Sequence, residues 1–397
     1  MVNNRLLSII VPTKNRFNTA KRAIEIAMQL QSDEFEIIVQ DCSDNDELLH
    51  YAEKVADPRL NYQRTPPVSL TQNWNNALGR ASGEYVIFIG DDDCVLASIL
   101  PAVRWTKARR LDALCTTKSH WYVWPGTNGL QGHMYYHEIT GRRMEINFAQ
   151  VRKALLKEFE LERMTGLAGP SIYHCLVKKA LLDALKRDTG VYFDATSPDS
   201  YSVTALCFYC HDTVLVDYPI TLSGTSPSSN TGRLWKKDKN YMAHYNEFKD
   251  PDWPRFLPHY KLMINHRAIG LEAKFKALRN LKRPELFPWD HVVRMYAFTF
   301  VSRHPWRIRF AMLRYLVDFS LGAGAAYRFP VNTARFCFWC LYEALVRIRR
   351  RFTTAAARRR IHVLENVEDI GRAVELTEAY LAQFTSPFAG GKAGNGA

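Results

Sequence analysis

The first 93 residues repeat one unit: a short apolar run, a polar turn, then apolar residues recurring at helical spacing. Leu6 to Val11 (LLSIIV) is a buried strand closed by Pro12, and Ala20, Ala23, Ile24, Ala27 and Met28 follow on one helical face. Phe35 to Val39 is a second strand ending in the polar turn Gln40 to Asp46, and Glu47 to Ala56 reads as a second helix. Arg59 to Tyr62 is a short third strand. Leu70, Trp74, Ala77, Leu78 and Ala81 mark another helix, Gly83 stops it, and Tyr85 to Ile89 is the fourth strand. Such alternation predicts an α/β fold with a parallel sheet and right-handed crossovers.

The fourth strand empties through Gly90 into three consecutive carboxylates, Asp91, Asp92 and Asp93. Adjacent carboxylates repel unless a cation or a basic partner compensates them. Ligands of α/β sheets bind in the crevice beyond the carboxyl ends of the strands. Asp oxygens are hard ligands suited to Mg²⁺ or Mn²⁺. A solvated turn with helix-capping aspartates is the plainer alternative, and the ordered elements before it favour the cation site.

The chain has 397 residues, enough for two or three domains, and its 47% hydrophobic and 12% aromatic content suffices for a full core. The opening MVNNRLLSIIVPTKN lacks the pattern of a secretory signal, and no run approaches the roughly 18 apolar residues of a membrane span. The expected location is cytoplasmic, or peripheral on the cytoplasmic face of a membrane. Eight irregularly spaced cysteines suit free thiols. Cys207 to His211 matches a haem-attachment pattern, and Cys337 with Cys340 forms a CxxC pair; core packing is the preferred account of both.

Charge divides the chain. Of a formal net charge of +13, residues 255–360 hold 22 Lys/Arg against 5 Asp/Glu, so the rest is mildly acidic. The expected organisation is a catalytic-type domain over residues 1–240, a basic, mostly helical region over 241–385, and a flexible tail over 386–397.

Four ordered motifs resemble the nucleotide-sugar-binding half of a family 2, GT-A type glycosyltransferase. Ser8 to Arg16 (SIIVPTKNR) is similar to that family's opening strand and Pro-Thr-x-Asn-Arg loop. Glu36 to Ser43 is similar to its second strand and Asp-Asp-Gly-Ser turn, Asn75 to Tyr85 to the helix leading into the metal strand, and Asp91–Asp93 to its Asp-x-Asp motif. The resemblance implies a Rossmann-like GT-A domain and transfer of a sugar, with inversion, from a nucleoside-diphosphate donor to an acceptor hydroxyl. It implies donor contacts from Pro12, Thr13, Asn15, Arg16, Asp41, Asn75 and Asp91, and Mg²⁺ or Mn²⁺ held by the set Asp91, Asp92, Asp93. Two departures are plain. Gln40 replaces the first aspartate of the second-strand turn, which leaves Asp41 to read the N–H of a uracil-like or thymine-like base. Gly90 shifts the acidic set by one, so the ligands are either Asp91 with Asp93 or Asp92 with waters. Lys14 and Arg16 either add positive charge near the nucleotide or form a solvated loop.

Breaking a sugar-diphosphate bond creates a highly charged leaving group, which a divalent cation stabilises. Inverting transfer also needs a base to accept the acceptor's proton. The family places it downstream, just before a helix, and in Phe193-Asp194-Ala195-Thr196-Ser197-Pro198-Asp199 the expected base is Asp199. Its plain alternative is an N-cap, and Asp194 and Asp212 are the reserves. Pro219 to Gly232 reads as a mobile loop over the donor or a linker. His120 to Pro125 reads as a sugar-stacking segment or as core.

In the basic half, Pro305 to Val317 mixes apolar residues with arginines as an interfacial helix does. Arg347 to Arg351 and Arg358 to Arg360 extend the positive field. A glycan or lipid-linked acceptor at a membrane face would account for this, against a soluble extension or an oligomer contact. Two other classes compete: a nucleotidyltransferase sharing such a sheet, and a nucleic-acid-binding protein, which no recognisable motif supports.

Overall fold

The computed structural model describes residues 5–117, 119–146, 170–235, 252–258, 266–302, 305–321, 328–353 and 361–389. The expected domain boundary near residue 240, the run Arg358 to Arg360 and the tail residues 390–397 lie outside them.

The first four repeats form as read: β1 (Leu7–Thr13), α1 (Phe17–Met28), β2 (Phe35–Asp41), α2 (Glu47–Lys54), β3 (Leu60–Arg64), α3 (Leu70–Gly79) and β4 (Tyr85–Phe88). Then follow β5 (Cys94–Val95), α4 (Ile99–Ala108), β6 (Ala113–Thr116), β7 (His120–Val123), β8 (His133–His137) and β9 (Arg143–Glu145). After residue 170 come β10 (Leu176–Lys178), α5 (Lys179–Thr189), α6 (Pro198–Leu206), β11 (Thr213–Val216), β12 (Thr221–Thr225) and α7 (Asn230–Trp235). The C-terminal part holds α8 (His266–Asn280), α9 (Trp289–Val301), α10 (Trp306–Leu321), α11 (Arg328–Thr353), β13 (Ile361–Glu365) and α12 (Ile370–Leu381).

One sheet runs β3-β2-β1-β4-β10-β6-β11-β9, and a second runs β13-β8-β7-β12-β5. The first four strands are parallel, as expected, but β10 lies antiparallel between β4 and β6, and β9 is antiparallel at the edge. The sheet is therefore mixed. Strand β1 also runs past Pro12, contrary to expectation, pairing Pro12 with Gln40 and Thr13 with Asp41. The reason is geometric. Ile10 offers its carbonyl to Ile89 on the β4 side, and alternation points Pro12 the same way, where β4 has ended and the missing N–H costs no ladder bond.

Alternation also divides the core. Ile9, Val11, Ile37, Val39 and Ile87 pack with α1, α4 and α12 on one face; Ile10, Ile38, Val86 and Phe88 pack with α3, α5, α6 and α8 on the other. Trp74 of α3 stacks on Phe88 at 4.4 Å between ring centroids and meets Phe193 edge-on at 5.9 Å.

The described residues of 241–385 are mostly helical, as expected, and fall into two parts. Helices α9, α10 and α11 share a separate core, whereas β13 pairs with β8 and α12 packs against α1 and β7. Arg22 bridges Asp369 at 3.0 Å, and the Tyr122 hydroxyl donates to the Val367 carbonyl. Phe388, expected in the tail, is buried against Trp105 and Tyr218. Among the described residues no helix is long and apolar enough to cross a membrane. Cys207 and Cys210 are buried free thiols, in keeping with core packing; half-buried Cys340 packs against the helical core, whereas Cys337 is exposed, so that account fails for Cys337.

Trp74→Ala should cost about 3–5 kcal/mol, the usual range for deleting a buried tryptophan. Urea denaturation would show a lower midpoint at an unchanged slope, and a loss below about 1 kcal/mol would contradict the packing assigned to it.

Candidate functional site

Asp91, Asp92 and Asp93 are all buried, at 1%, 4% and 0% exposure. A solvated turn is thereby excluded, and each carboxylate has its own compensation. Asp91 accepts from Thr13 Oγ1 at 2.6 Å and pairs with Arg16 Nη1 at 2.9 Å. Burial opposes the Arg16 charge, yet Asp91 and Asp92 hold its pKa above the ordinary value.

Asp93 is the most heavily tied of the three. Its Oδ2 accepts from Gly90 N at 2.6 Å and Tyr173 Oη at 2.5 Å and lies 3.1 Å from His174 Nε2; its Oδ1 accepts from Gly224 N at 2.6 Å. Burial raises its pKa, but His174, Tyr173 and the Gly224 amide outweigh that and hold it below the usual carboxylate range. His174 is held in turn by Thr221 Oγ1, 2.8 Å from its Nδ1.

Asp92 differs. Its Oδ2 accepts from Ser226 N at 2.8 Å, while no hydrogen bond to Oδ1 is found among the described residues. Burial first, then Asp93 and Asp91, push its carboxyl up to about 7. A buried carboxylate so poised takes up a proton or a cation near neutrality. Among the described residues no group of three or more His, Cys, Asp or Glu side chains is arranged to hold a metal. Mg²⁺, however, usually binds through one or two carboxylates plus substrate phosphates and water. The residues present fit such an ion at Asp92.

Topology explains the assembly. Because β10 runs antiparallel to β4, its approach segment arrives where β4 ends, with Tyr173 bridged to Phe88. Strand β12 passes so close that a Cβ at Gly224 would lie 1.6 Å from the Asp92 carbonyl oxygen, so only glycine fits. The same carbonyl accepts from Trp124 Nε1 at 3.0 Å. At Gly90 a Cβ would meet Asp93 and Asp92 oxygens and the Tyr173 hydroxyl at 2.9–3.0 Å, so a larger residue would crowd the acidic run. Pro219 to Gly232 is accordingly no open loop: it contains β12 and α7, and Ser226 is fully buried.

The other predicted residues divide. Thr13 and Arg16 reach the acidic run directly. Pro12 contributes backbone in β1, and Asn15, at φ +56°, exchanges hydrogen bonds with Asp44 and donates its N–H to Ser43, tying the two strand-end loops together. Asp41 is fully buried: Oδ1 accepts from Ser43 N at 2.8 Å and Oγ at 2.5 Å, and Oδ2 from Tyr62 at 2.8 Å. These three bonds brace its own turn, and a carboxylate has about four acceptor sites, so capacity for one further donor remains. The Asn75 amide, by contrast, is spent, donating to Thr71 O and Phe193 O and accepting from Tyr192 N and Phe193 N. It anchors the loop that leads to Asp199.

Asp199 sits in the first turn of α6, half-buried, accepting from Ser197 Oγ. Burial, then Asp93 and Asp92, with a smaller contribution from Asp199, raise the Tyr173 phenol's pKa well above ordinary. The turn before α6 is clamped by α8, where Glu272 accepts from Thr196 N and lies 3.3 Å from Lys276. Burial pushes the Glu272 carboxyl up to about 8. Of the reserves, Asp194 is engaged by Lys276, Arg279 and Asn280. Asp212 precedes β11, which runs parallel to β6 and hence to β4, so it lies at the opposite edge of the sheet. The segment His120 to Pro125 is largely β7, with Trp121 stacked on Tyr135 and His120 on Tyr136.

Tyr173, His174, Gly224 and Ser226 escaped the sequence reading. Nothing local marks them, since their partners in the acidic run lie at least 80 residues away in the chain.

Fold and site together define a Rossmann-like α/β domain with a buried acidic strand end. Residues 8–150 match the family described as Glycosyl transferase family 2, and the chain carries a domain of that family. Over 96 residues it is 40% identical to a protein of Escherichia coli (strain K12) named as a colanic acid biosynthesis glycosyl transferase, WcaA. Over 102 residues it is 35% identical to the GalNAc(5)-diNAcBac-PP-undecaprenol beta-1,3-glucosyltransferase of Campylobacter jejuni. These alignments span 23% and 24% of this chain and about a third of the relatives' own lengths, 34% and 32%. Among solved structures, S. aureus TarS 1–349 with UDP-GlcNAc aligns at 14% identity over 81% of this chain and 92% of that one, with a TM-score of 0.44.

Asn75→Ala should destabilise the fold by about 1–3 kcal/mol, because it leaves buried backbone groups unpaired. Hydrogen exchange should show the Tyr192 and Phe193 amides losing protection. Unchanged protection with weakened nucleotide-sugar binding would instead make Asn75 a donor contact.

Proposed function

We propose that this chain transfers a sugar, with inversion, from a UDP- or dTDP-linked donor to a glycan or lipid-linked acceptor in cell-surface polysaccharide or glycolipid synthesis. The observation carrying this reading is the buried acidic strand end of a family 2 domain, where Asp92 Oδ1 accepts no hydrogen bond among the described residues. Both curated relatives are named for glycosyl transfer, one of them on an undecaprenol-linked acceptor. The notion of peripheral attachment to a membrane belongs to the same reading.

Each residue has a distinct task in it. Asp92, with its uncommitted oxygen, would hold Mg²⁺ or Mn²⁺, whose chemistry is to offset charge on the departing diphosphate. Asp93 is the brace that fixes Asp92, and Arg16 with Thr13 fixes Asp91. Asp199 takes the proton from the acceptor hydroxyl as that oxygen attacks the anomeric carbon. It is delivered by the Asn75 and Glu272 clamps at a helix start, where its backbone is rigid. Neutral Tyr173, its phenol disfavoured from ionising, keeps its hydroxyl hydrogen on Asp93.

Incubation with nucleotide sugars should release nucleoside diphosphate. Release of pyrophosphate from a nucleoside triphosphate would favour a nucleotidyltransferase. Asp199→Asn should lower transfer by roughly 10²–10⁴-fold, the range for removing a positioned base, while donor-induced thermal stabilisation persists; an active Asn variant would sink the assignment. Asp92→Asn should abolish the part of that stabilisation which requires Mn²⁺. In the unaltered protein, saturation at about 100 times Kd is worth about 2.7 kcal/mol.

A further inference from the structure

Helices α10 and α11 both pack on α9, and each turns an apolar stripe away from it. On α11 the inner face is set by Asn332, Phe336 and Glu343, all buried, with Glu343 3.1 Å from Arg294 of α9. The opposite face presents Val331, Phe338, Leu341, Leu345 and Ile348, 48–62% exposed, at spacings of seven, three, four and three. On α10 the inner residues are Met312, Leu316 and Ser320, and the outward stripe is Trp306, Phe310, Val317 and Leu321, up to 66% exposed. Soluble surfaces rarely leave such continuous apolar rows uncovered.

We propose that this two-helix face is a docking surface for an anionic lipid bilayer. Charge selects the occupant. The two helices contain nine arginines and two acids, Asp318 and Glu343, of which Glu343 is turned inward. Arg307, Arg314, Arg328, Arg335 and Arg349 are exposed beside the stripes. A second copy meeting this face would set arginine against arginine, and a nucleic acid would leave the Phe, Leu and Trp side chains without partners. An anionic interface satisfies both, with apolar side chains entering the acyl boundary and guanidinium groups meeting headgroup phosphates. The inference deepens the membrane part of the proposed function by naming its surface, and it stands or falls separately from sugar transfer.

Vesicle flotation tests it. The full chain should float with vesicles of phosphatidylcholine containing one-third phosphatidylglycerol, stay in solution with phosphatidylcholine alone, and detach as salt is raised. The double substitution Phe338→Glu with Leu341→Glu should weaken binding on the order of 100-fold, and Arg335→Glu with Arg349→Glu on the order of tenfold or more. All four positions are exposed, Arg335 with an ion pair to Asp290 of α9 at 3.7 Å that is itself exposed to solvent, so circular dichroism should be unchanged. Failure of the unaltered chain to float, flotation of both variants like the unaltered chain, or equal binding to neutral vesicles would overturn the proposal. So would a dimer in solution that Phe338→Glu with Leu341→Glu converts to monomer. Nucleoside diphosphate release with a soluble acceptor, read on the same samples, separates the two ideas: release without flotation removes the docking surface alone, and flotation without release removes the transferase reading alone.

Discussion

Burying three adjacent carboxylates at one strand end is the constraint on which the rest of this domain depends. An uncompensated buried charge costs several kcal/mol, so the chain must bring donors to Asp91, Asp92 and Asp93 from wherever it can. Thr13 comes from the end of β1 and Arg16 from the loop after it, Tyr173 and His174 from the approach to β10, and the Gly224 and Ser226 amides from β12 and the residue just after it. The compensation is unequal. Asp91 is bound by Thr13 and Arg16, and Asp93 by groups that hold its pKa down, whereas Asp92 keeps one oxygen and a raised pKa. The same pressure that holds three parts of the chain together thus leaves one carboxylate poised for a cation.

A second set of contacts governs the other acid. Asn75 spends three of its four amide hydrogen bonds on the 192–193 backbone and the fourth on Thr71 O, Trp74 packs on Phe193, and Glu272 holds the Thr196 amide. None of these side chains needs to touch a substrate to matter. They set where α6 begins, and hence where Asp199 stands relative to Tyr173. A polar residue that looks like a ligand contact in sequence can be a positioning group in the fold, and the fully engaged amide of Asn75 has that geometry.

The C-terminal region has two mechanical parts. Helices α9 to α11 make a core of their own with a basic, apolar outer face, while β13 and α12 return to the first domain and seal α1 and β7. Because the chain leaves and comes back, the helical unit is attached to the α/β domain at both ends. A force or a surface acting on α10 and α11 is therefore transmitted to the domain through two covalent connections.

Local pattern was enough for the four leading strands, their helices, the acidic strand end and the basic helices. Burial on both sheet faces and helical periodicity leave period-specific traces in composition, and a run of like charges is visible wherever it falls. The family resemblance in Ser8 to Arg16 and Asn75 to Asp93 was equally local. What only the tertiary structure decided were the relations between distant segments: the antiparallel insertion of β10, the burial of Asp91 to Asp93, the amides of β12 on Asp92 and Asp93, the return of residues 361–389, and the use of Asn75 as a clamp. Hydrogen-bond partners 80 to 130 residues apart leave no periodic signal, because donor and acceptor are matched by the path of the chain in space and not by neighbours in sequence.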